Sequence, residues 1–156
     1  MESPYSIRPK SSNDDYRLFE LYSAAIPTTV RTAEGMTFEE WQESRDRGSW
    51  PQRHREYVWE KDGRLVGWLH ICAAGGMDCF ELMLHPVEGE GLEWLVNHAL
   101  VSLDSKPPLF CIASAFQGAL RSLLSRLEFE EVAQYHALVK ELAIRVREPT
   151  FMPMRA

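Results

Sequence analysis

The sequence has no apolar run near the roughly 20 residues that a membrane-spanning helix requires. Its opening segment, MESPYSIRPK, has no apolar core of the kind found in secretion signals, so a cytoplasmic protein that does not bind membranes is expected. Repeats, low-complexity tracts and internal linkers are also missing, which excludes collagen-like and disordered classes. The 156 residues are long enough to bury a core without disulfides or metals, so a single domain is predicted.

Cysteine is scarce, and the three that occur are not spaced as a redox or metal motif. Cys72, Cys79 and Cys111 lie inside apolar runs, which is typical of reduced core residues in a cytosolic protein. No cluster of His, Cys and Asp indicates a bound metal. The 17 basic and 23 acidic residues give a net charge of −6, which argues against nucleic-acid binding and favours a cationic partner.

Four segments carry the 3.6-residue periodicity of an amphipathic helix. The first follows Asn13 or Asp14 and ends before Pro27; the others are Phe38–Arg47, Leu92–Leu103 and Ala119–Leu127. A capping box opens the second helix, because the Thr37 hydroxyl and the Glu40 carboxylate can satisfy first-turn amides. The stretch before this box, Ile26–Met36, is interpreted as a polar loop.

Six short apolar segments are predicted to be strands. They are Tyr5–Arg8, Glu56–Glu60, Leu65–Ala73, Cys79–Leu84, Leu109–Ala113 and Val132–Leu142, and the last of them is interpreted as a final strand or a tight hairpin. Asp62-Gly63 between the second and third is a strong hairpin signal, because both residues tolerate positive φ. The order β-α-α-β-β-β-α-β-α-β predicts an α/β protein, with α+β character, whose mixed sheet has helices on both faces.

A glycine loop, Gly89–Gly91, joins the fourth predicted strand to the helix that follows it. Backbone N–H groups at a helix N-terminus can bind an anion where glycines allow a close approach. A plain strand-to-helix turn has the same pattern, so this motif alone leaves both interpretations open.

Two longer stretches, in this order of elements, resemble the GNAT acetyltransferase superfamily. They are FELMLHPVEGEGLEWLVNHAL (Phe80–Leu100) and QGALRSLLSRLEFEEV (Gln117–Val132). The resemblance covers most of residues 1–142, which are predicted to form one GNAT-like domain. It implies that the fourth and fifth strands splay apart around the pantetheine arm of acetyl-CoA, with the pyrophosphate on the glycine loop. The cofactor-binding residues that it implies are Met83, Leu84, Glu88, Gly89, Glu90, Gly91 and Gln117.

The activity implied by this resemblance is transfer of an acetyl group from acetyl-CoA to an amine of a small molecule or peptide. In similar proteins the region after the first helix covers the acceptor pocket. Thr28, Thr29 and Arg31 lie in that region and are predicted to contact the acceptor.

A carboxylate in the middle of an apolar strand is the candidate base. Glu81 is flanked by Phe80 and Leu82, and a carboxylate there is costly unless it is paired or functional. Pairing with an arginine, or exposure near the strand end, is the structural alternative. His70 alternates with Trp68 on its strand, which favours packing in a core or groove over catalysis.

Several departures from the family pattern keep a second function open. Of the loop signature R/Q-x-x-G-x-G/A only the middle glycine is present, as Gly91, while Glu88 and Glu93 replace the first and last residues. With Glu90, these carboxylates either oppose a bound pyrophosphate or simply complement the helix dipole. Leu124 stands at the position of the tyrosine that protonates the leaving thiolate. The alternative is therefore a non-catalytic GNAT-fold module that binds a ligand or assembles with a partner.

The C-terminal segment 143–156 is basic and interrupted by prolines. Its apolar residues Phe151, Met152 and Met154 need a covering surface if they are ordered. This tail is predicted to be disordered or docked on a partner, and a homodimer is one such arrangement.

Overall fold

The computed structural model describes residues 6–45, 53–74, 77–103 and 108–135. Within these ranges the strands are β1 (Ser6–Pro9), β2 (Arg53–Lys61), β3 (Arg64–Ala74), β4 (Met77–Leu84) and β5 (Leu109–Ile112). The helices are α1 (Asp15–Ala25), α2 (Thr28–Glu34), α3 (Phe38–Arg45), α4 (Leu92–Ser102) and α5 (Gly118–Arg126).

One mixed sheet runs in the order β1-β2-β3-β4-β5. Strands β1 to β4 pair with one another in antiparallel order, and β5 pairs with β4 in parallel. The β2–β3 connection is the predicted hairpin, with φ of 52° at Asp62 and 76° at Gly63. A parallel fifth strand requires a crossover, and α4 supplies it.

Helices cover both faces of the sheet, as predicted, and each face has its own apolar core. The α4–α5 core is built around Trp59, Leu69 and Phe80, which are 0–1% exposed. The α1–α3 core on the opposite face contains Leu18, Trp41, Trp68 and Met83, among others. Because side chains alternate along a strand, neighbouring residues of β3 and β4 contribute to opposite cores.

The predicted capping box is confirmed at the start of α3. The Glu40 N–H donates to Thr37 Oγ1 at 3.2 Å, and the Thr37 N–H donates to Glu40 Oε2 at 2.8 Å. These reciprocal bonds satisfy two amides that the first turn leaves without an intrahelical partner.

The interpretation of Ile26–Met36 as a loop is wrong, because α2 occupies its centre. Pro27 stands at the N-cap position, and the Thr32 hydroxyl donates to the Thr28 carbonyl at 2.8 Å. Gly35 then ends the helix in the left-handed conformation, with φ of 55°. The helix presents mostly polar, exposed residues, so the apolar periodicity that reveals a buried helix is missing.

The last predicted strand, Val132–Leu142, is not formed over the part that the structure describes. Residues 132–135 belong to no strand, and Val132 and Tyr135 are 75% and 92% exposed. These exposed residues lack the packing on a sheet surface that stabilises a strand. Residues 136–142 and the tail 143–156 lie outside the described residues.

Candidate functional site

The fourth and fifth strands separate at a defined position. β4 and β5 pair over four residues, the last pair being Glu81 with Ile112, and β4 then continues to Leu84 without a β5 partner. The predicted splay of these strands is therefore confirmed. Beyond this pair, β4 lies next to the turn that precedes α5.

Gln117 bridges this gap with both ends of its side-chain amide. Its Nε2 donates to the Leu82 carbonyl oxygen at 2.9 Å, and its Oε1 accepts from the Ser114 N–H at 2.8 Å. The bonds hold the turn before α5 against β4 just beyond the point where the strands part. Gln117 thus lies beside the gap, and its predicted contact with a cofactor stays a prediction.

Glu81 is the last residue of β4 that pairs with β5, and it has a histidine partner. It shares a sheet face with Met83 of the α1–α3 core, and His70 is directly opposite on β3. His70 Nδ1 and Glu81 Oε1 are 3.0 Å apart, and the two side chains are 16% and 31% exposed. The carboxylate is therefore held by a neighbour and is partly exposed.

A second histidine extends this contact to the surface. His54 Nδ1 and His70 Nε2 are 2.8 Å apart, and the two rings stack with centroids separated by 5.0 Å. His70 thus contacts Glu81 through Nδ1 and His54 through Nε2, and its tautomer sets which nitrogen donates in each contact. Sequence reasoning assigned His70 to packing; the signal that could identify it is the β2–β3 hairpin register, which aligns Glu56, His70 and Glu81.

A charged and aromatic cluster borders the same face on the β2 side. Glu56 accepts from Trp68 Nε1 at 3.1 Å and pairs with Arg45. The Arg45 guanidinium carbon lies 4.8 Å from the ring centre of Trp41 and 4.9 Å from that of Trp68. This cation–π contact fixes the end of α3 onto the sheet. A cavity of about 410 Å³ lies beside it, lined by Lys10, Asp15, Trp41, Gln42, Glu43, Arg45 and Glu56.

The glycine loop is folded into 3-10 turns that run directly into α4. They span Pro86–Gly91, and the Glu88 N–H donates to the His85 carbonyl at 2.9 Å. The Val87 N–H donates to His85 Nδ1 at 3.3 Å, and the Leu92 N–H donates to the Gly89 carbonyl. Three of the N–H groups around this loop therefore already have partners within it.

The predicted phosphate-loop residues have different surroundings. Gly91 is buried, whereas Gly89 and Glu90 are exposed. Glu88 is half-buried and pairs with Lys61, whose Nζ lies 3.0 Å from one carboxylate oxygen and 3.1 Å from the other. Three glutamates, Glu88, Glu90 and Glu93, were expected around the phosphate loop. The charge of Glu88 is offset by the Lys61 ammonium group on β2.

The remaining predicted residues divide between the core and the surface. Met83 is buried in the α1–α3 core, and Leu84 is half-buried against the α4–α5 core. Thr28, Thr29 and Arg31 are exposed on α2, and Arg31 donates to the Ser23 carbonyl on α1. This bond joins the first two helices to each other, and the role of the three α2 residues toward an acceptor stays a prediction.

Thiol chemistry is disfavoured at two of the cysteines. Burial raises the pKa of Cys79 to about 11 and that of Cys111 to about 12. Both are protonated at neutral pH and are poor nucleophiles. Across the described ranges, no three His, Cys, Asp or Glu side chains are grouped to hold a metal, and none of the helices there has the length and apolar character needed to cross a membrane.

Several solved N-acetyltransferases have a similar fold. An N-acetyltransferase from Staphylococcus aureus Mu50 matches with a TM-score of 0.62 and 20% identity, over 84% of this chain and 86% of that one. The ribosomal-protein-S18-alanine N-acetyltransferase from Escherichia coli matches with a TM-score of 0.60 and 14% identity, over 83% and 79%. An aminoglycoside N-acetyltransferase in complex with CoA matches with a TM-score of 0.58 and 12% identity, over 88% and 95%.

Comparison by sequence finds neither a family model nor a curated protein that matches the chain. The fold nevertheless is that of the GNAT N-acetyltransferases, as the resemblance implied. At these identities the likeness concerns the fold and not the reaction.

Proposed function

We propose that this protein is an N-acyltransferase. It transfers an acetyl group from acetyl-CoA, or from a related pantetheine thioester, to the amine of a small molecule or peptide. The observation that carries the proposal is the position of Glu81, a partly exposed carboxylate at the residue where β4 and β5 part. The acetyltransferase fold supports the same reaction class.

The β4 edge suits the pantetheine part of such a donor. Gln117 bonds the Leu82 carbonyl from the side of the gap, and backbone groups alternate between the two edges of a strand. The N–H and C=O of Leu84 consequently face the gap as well. An extended arm with two amide groups can pair with this edge as an added strand would.

The diphosphate part of CoA fits the loop before α4 less well than the pantetheine part fits the β4 edge. Several N–H groups of the loop are bonded within it. Two exposed carboxylates lie close by, Glu90 in the loop and Glu93 in the first turn of α4. The chemistry therefore depends on the chain's own residues at the gap. A bound thioester would supply only an electrophilic carbonyl.

Glu81 has the role of base in this proposal. An amine that is protonated at neutral pH must lose a proton before its nitrogen can attack a carbonyl. A partly exposed carboxylate can accept that proton, directly or through one water. His70 keeps the carboxylate in one orientation through the contact between its Nδ1 and Glu81 Oε1. His54 in turn fixes the ring of His70.

The acceptor is proposed to be cationic. Glu81 places a partly exposed carboxylate on this face of the sheet, next to a Glu56 that is paired with Arg45, and the whole chain carries a net charge of −6. Such a surface attracts an ammonium group to the side of the sheet where Glu81 is exposed.

The second candidate, a non-catalytic module, has one specific observation in its favour. Leu124 is 8% exposed and packs in the α4–α5 core. It cannot protonate a leaving thiolate, so α5 supplies no acid at the position where similar proteins have a tyrosine. In an active enzyme the leaving thiolate would take its proton from another group or from water.

Thiol release from acetyl-CoA in the presence of a panel of amines distinguishes the two candidates. The wild type should release thiol with at least one cationic amine, and Glu81→Gln should lower the rate about 100-fold. Glu39→Gln, a change at the surface of α3, is the matched control and should leave the rate unchanged. If the wild type releases no thiol with any amine, the acyltransferase proposal is wrong and the non-catalytic module is favoured.

A further inference from the structure

The loop before α4 differs from a phosphate cradle in its hydrogen bonding. A cradle presents N–H groups outward to the anion. Here His85 takes two of them, since its carbonyl accepts from the Glu88 N–H and its Nδ1 accepts from the Val87 N–H. The Leu92 N–H is bonded to the Gly89 carbonyl. An anion at this loop would have to compete with these internal bonds.

The one glycine that matches the family signature has a packing role. A Cβ at Gly91 would lie 1.9 Å from Cη2 and 2.3 Å from Cζ3 of Trp59. The missing side chain at Gly91 thus accommodates the buried Trp59 ring, and not a ligand on the outside of the loop. Gly89, the other glycine of the loop, faces open space.

The charge of the loop also opposes a nucleotide phosphate. Lys61 is a basic side chain that contacts the loop, and it is engaged by both carboxylate oxygens of Glu88. Glu90 lies in the loop itself, and Glu93 lies in the first turn of α4. A diphosphate there would meet like charges, and the charge of Lys61 is already offset by Glu88.

The gap at β4 has a different character, because the N–H and C=O of Leu84 face it beyond the last β4–β5 pair. The Leu82 carbonyl on the same edge is bonded to the uncharged Gln117 amide. The Leu84 backbone groups can pair with an amide of a pantetheine arm and require no phosphate. We propose that the protein recognises its acyl donor through the pantetheine arm, so that pantetheine thioesters serve as well as CoA thioesters.

This inference rests on the proposed function, and calorimetric titration of the full chain separates the two. The probes are pantetheine, CoA and adenosine 3′,5′-bisphosphate. Pantetheine and CoA should bind with dissociation constants within about threefold of each other, and the bisphosphate should not bind. CoA binding about tenfold or more tighter than pantetheine binding would overturn the inference and leave the acyltransferase proposal standing. No binding of either thiol would overturn both.

A charge-reversal variant tests whether the carboxylates near the loop weaken the binding of the CoA phosphates. Glu90→Lys/Glu93→Lys should tighten CoA binding about tenfold and leave pantetheine binding unchanged, because only CoA carries phosphates. Glu20→Lys/Glu39→Lys changes the same charge at the surfaces of α1 and α3 and should affect neither ligand. An unchanged CoA affinity in the first variant would contradict electrostatic exclusion at this loop.

Discussion

His70 Nδ1 lies 3.0 Å from Glu81 Oε1, at the residue of β4 beyond which β5 no longer pairs. The contact links the predicted catalytic carboxylate to a histidine that the sequence pattern assigned to packing. It arises because β3 and β4 pair in antiparallel register, with His70 opposite Glu81. Directly opposed side chains on one sheet face lie within reach of each other.

Removing the His70 side chain should slow acyl transfer, because Glu81 loses the contact that orients it. In His70→Ala we expect kcat to fall about tenfold, while KM for the amine stays within about twofold of wild type. His70→Gln keeps an N–H donor and should restore part of kcat. An unchanged kcat in His70→Ala would contradict a role for His70 in positioning Glu81.

Gly91 should tolerate no side chain, whereas its neighbour Gly89 should. Gly91→Ala places a methyl group against the Trp59 ring and should lower the free energy of unfolding by about 3 kcal/mol, measured by urea denaturation. Gly89→Ala has nothing within 4 Å of the new Cβ and should stay within about 0.5 kcal/mol of wild type. Equal losses in both variants would contradict the packing role of Gly91.

Asp14 is a buried carboxylate that ties β1 to α1. It is 1% exposed and accepts from Arg8 at 2.7 and 2.8 Å, from Arg17 at 2.8 Å and from the Ser11 N–H at 2.8 Å. The Arg8 hydrogen bonds hold the pKa of Asp14 well below its usual range, against the opposing effect of burial.

A depressed folded-state pKa has a defined consequence for acid stability. The contribution of Asp14 is fully present above its unfolded pKa of about 3.9 and is lost as the pH falls toward the lower folded value. Asp14→Asn should lower the free energy of unfolding by about 3 kcal/mol at neutral pH. It should also flatten the dependence of stability on pH below about 4, and an unchanged slope there would contradict the assignment.

Gln117 should be more sensitive to charge than an ordinary surface amide. In Gln117→Glu the side chain can still accept from the Ser114 N–H but can no longer donate to the Leu82 carbonyl. The loss should be about 2 kcal/mol in thermal or chemical unfolding. Asn97→Asp, the same chemical change on the exposed face of α4, is the control and should have little effect.

The parts of the fold that were predicted correctly are those set by local sequence. Asp62-Gly63 fixes a hairpin through its own backbone preferences, and Thr37 with Glu40 caps a helix within one turn. The polar helix α2 was missed because its stability depends on Pro27 and Gly35 at its ends and not on an apolar stripe.

The candidate site was only partly predictable, because its contacts join distant residues. Glu81 was identified from the cost of a carboxylate within an apolar strand. Its partner His70 depends on strand register, and the ion pair of Lys61 with Glu88 joins residues 27 positions apart. Such contacts follow from the complete sheet and not from any local pattern.

A crystal structure of the protein with S-acetylpantetheine tests the proposed function most directly. The arm should lie along the β4 edge at Leu82–Leu84, with the thioester beside the Glu81 carboxylate and the loop before α4 unoccupied. An arm bound away from this edge, or a thioester out of reach of Glu81 both directly and through one water, would contradict the assignment of this site as the acyltransfer centre.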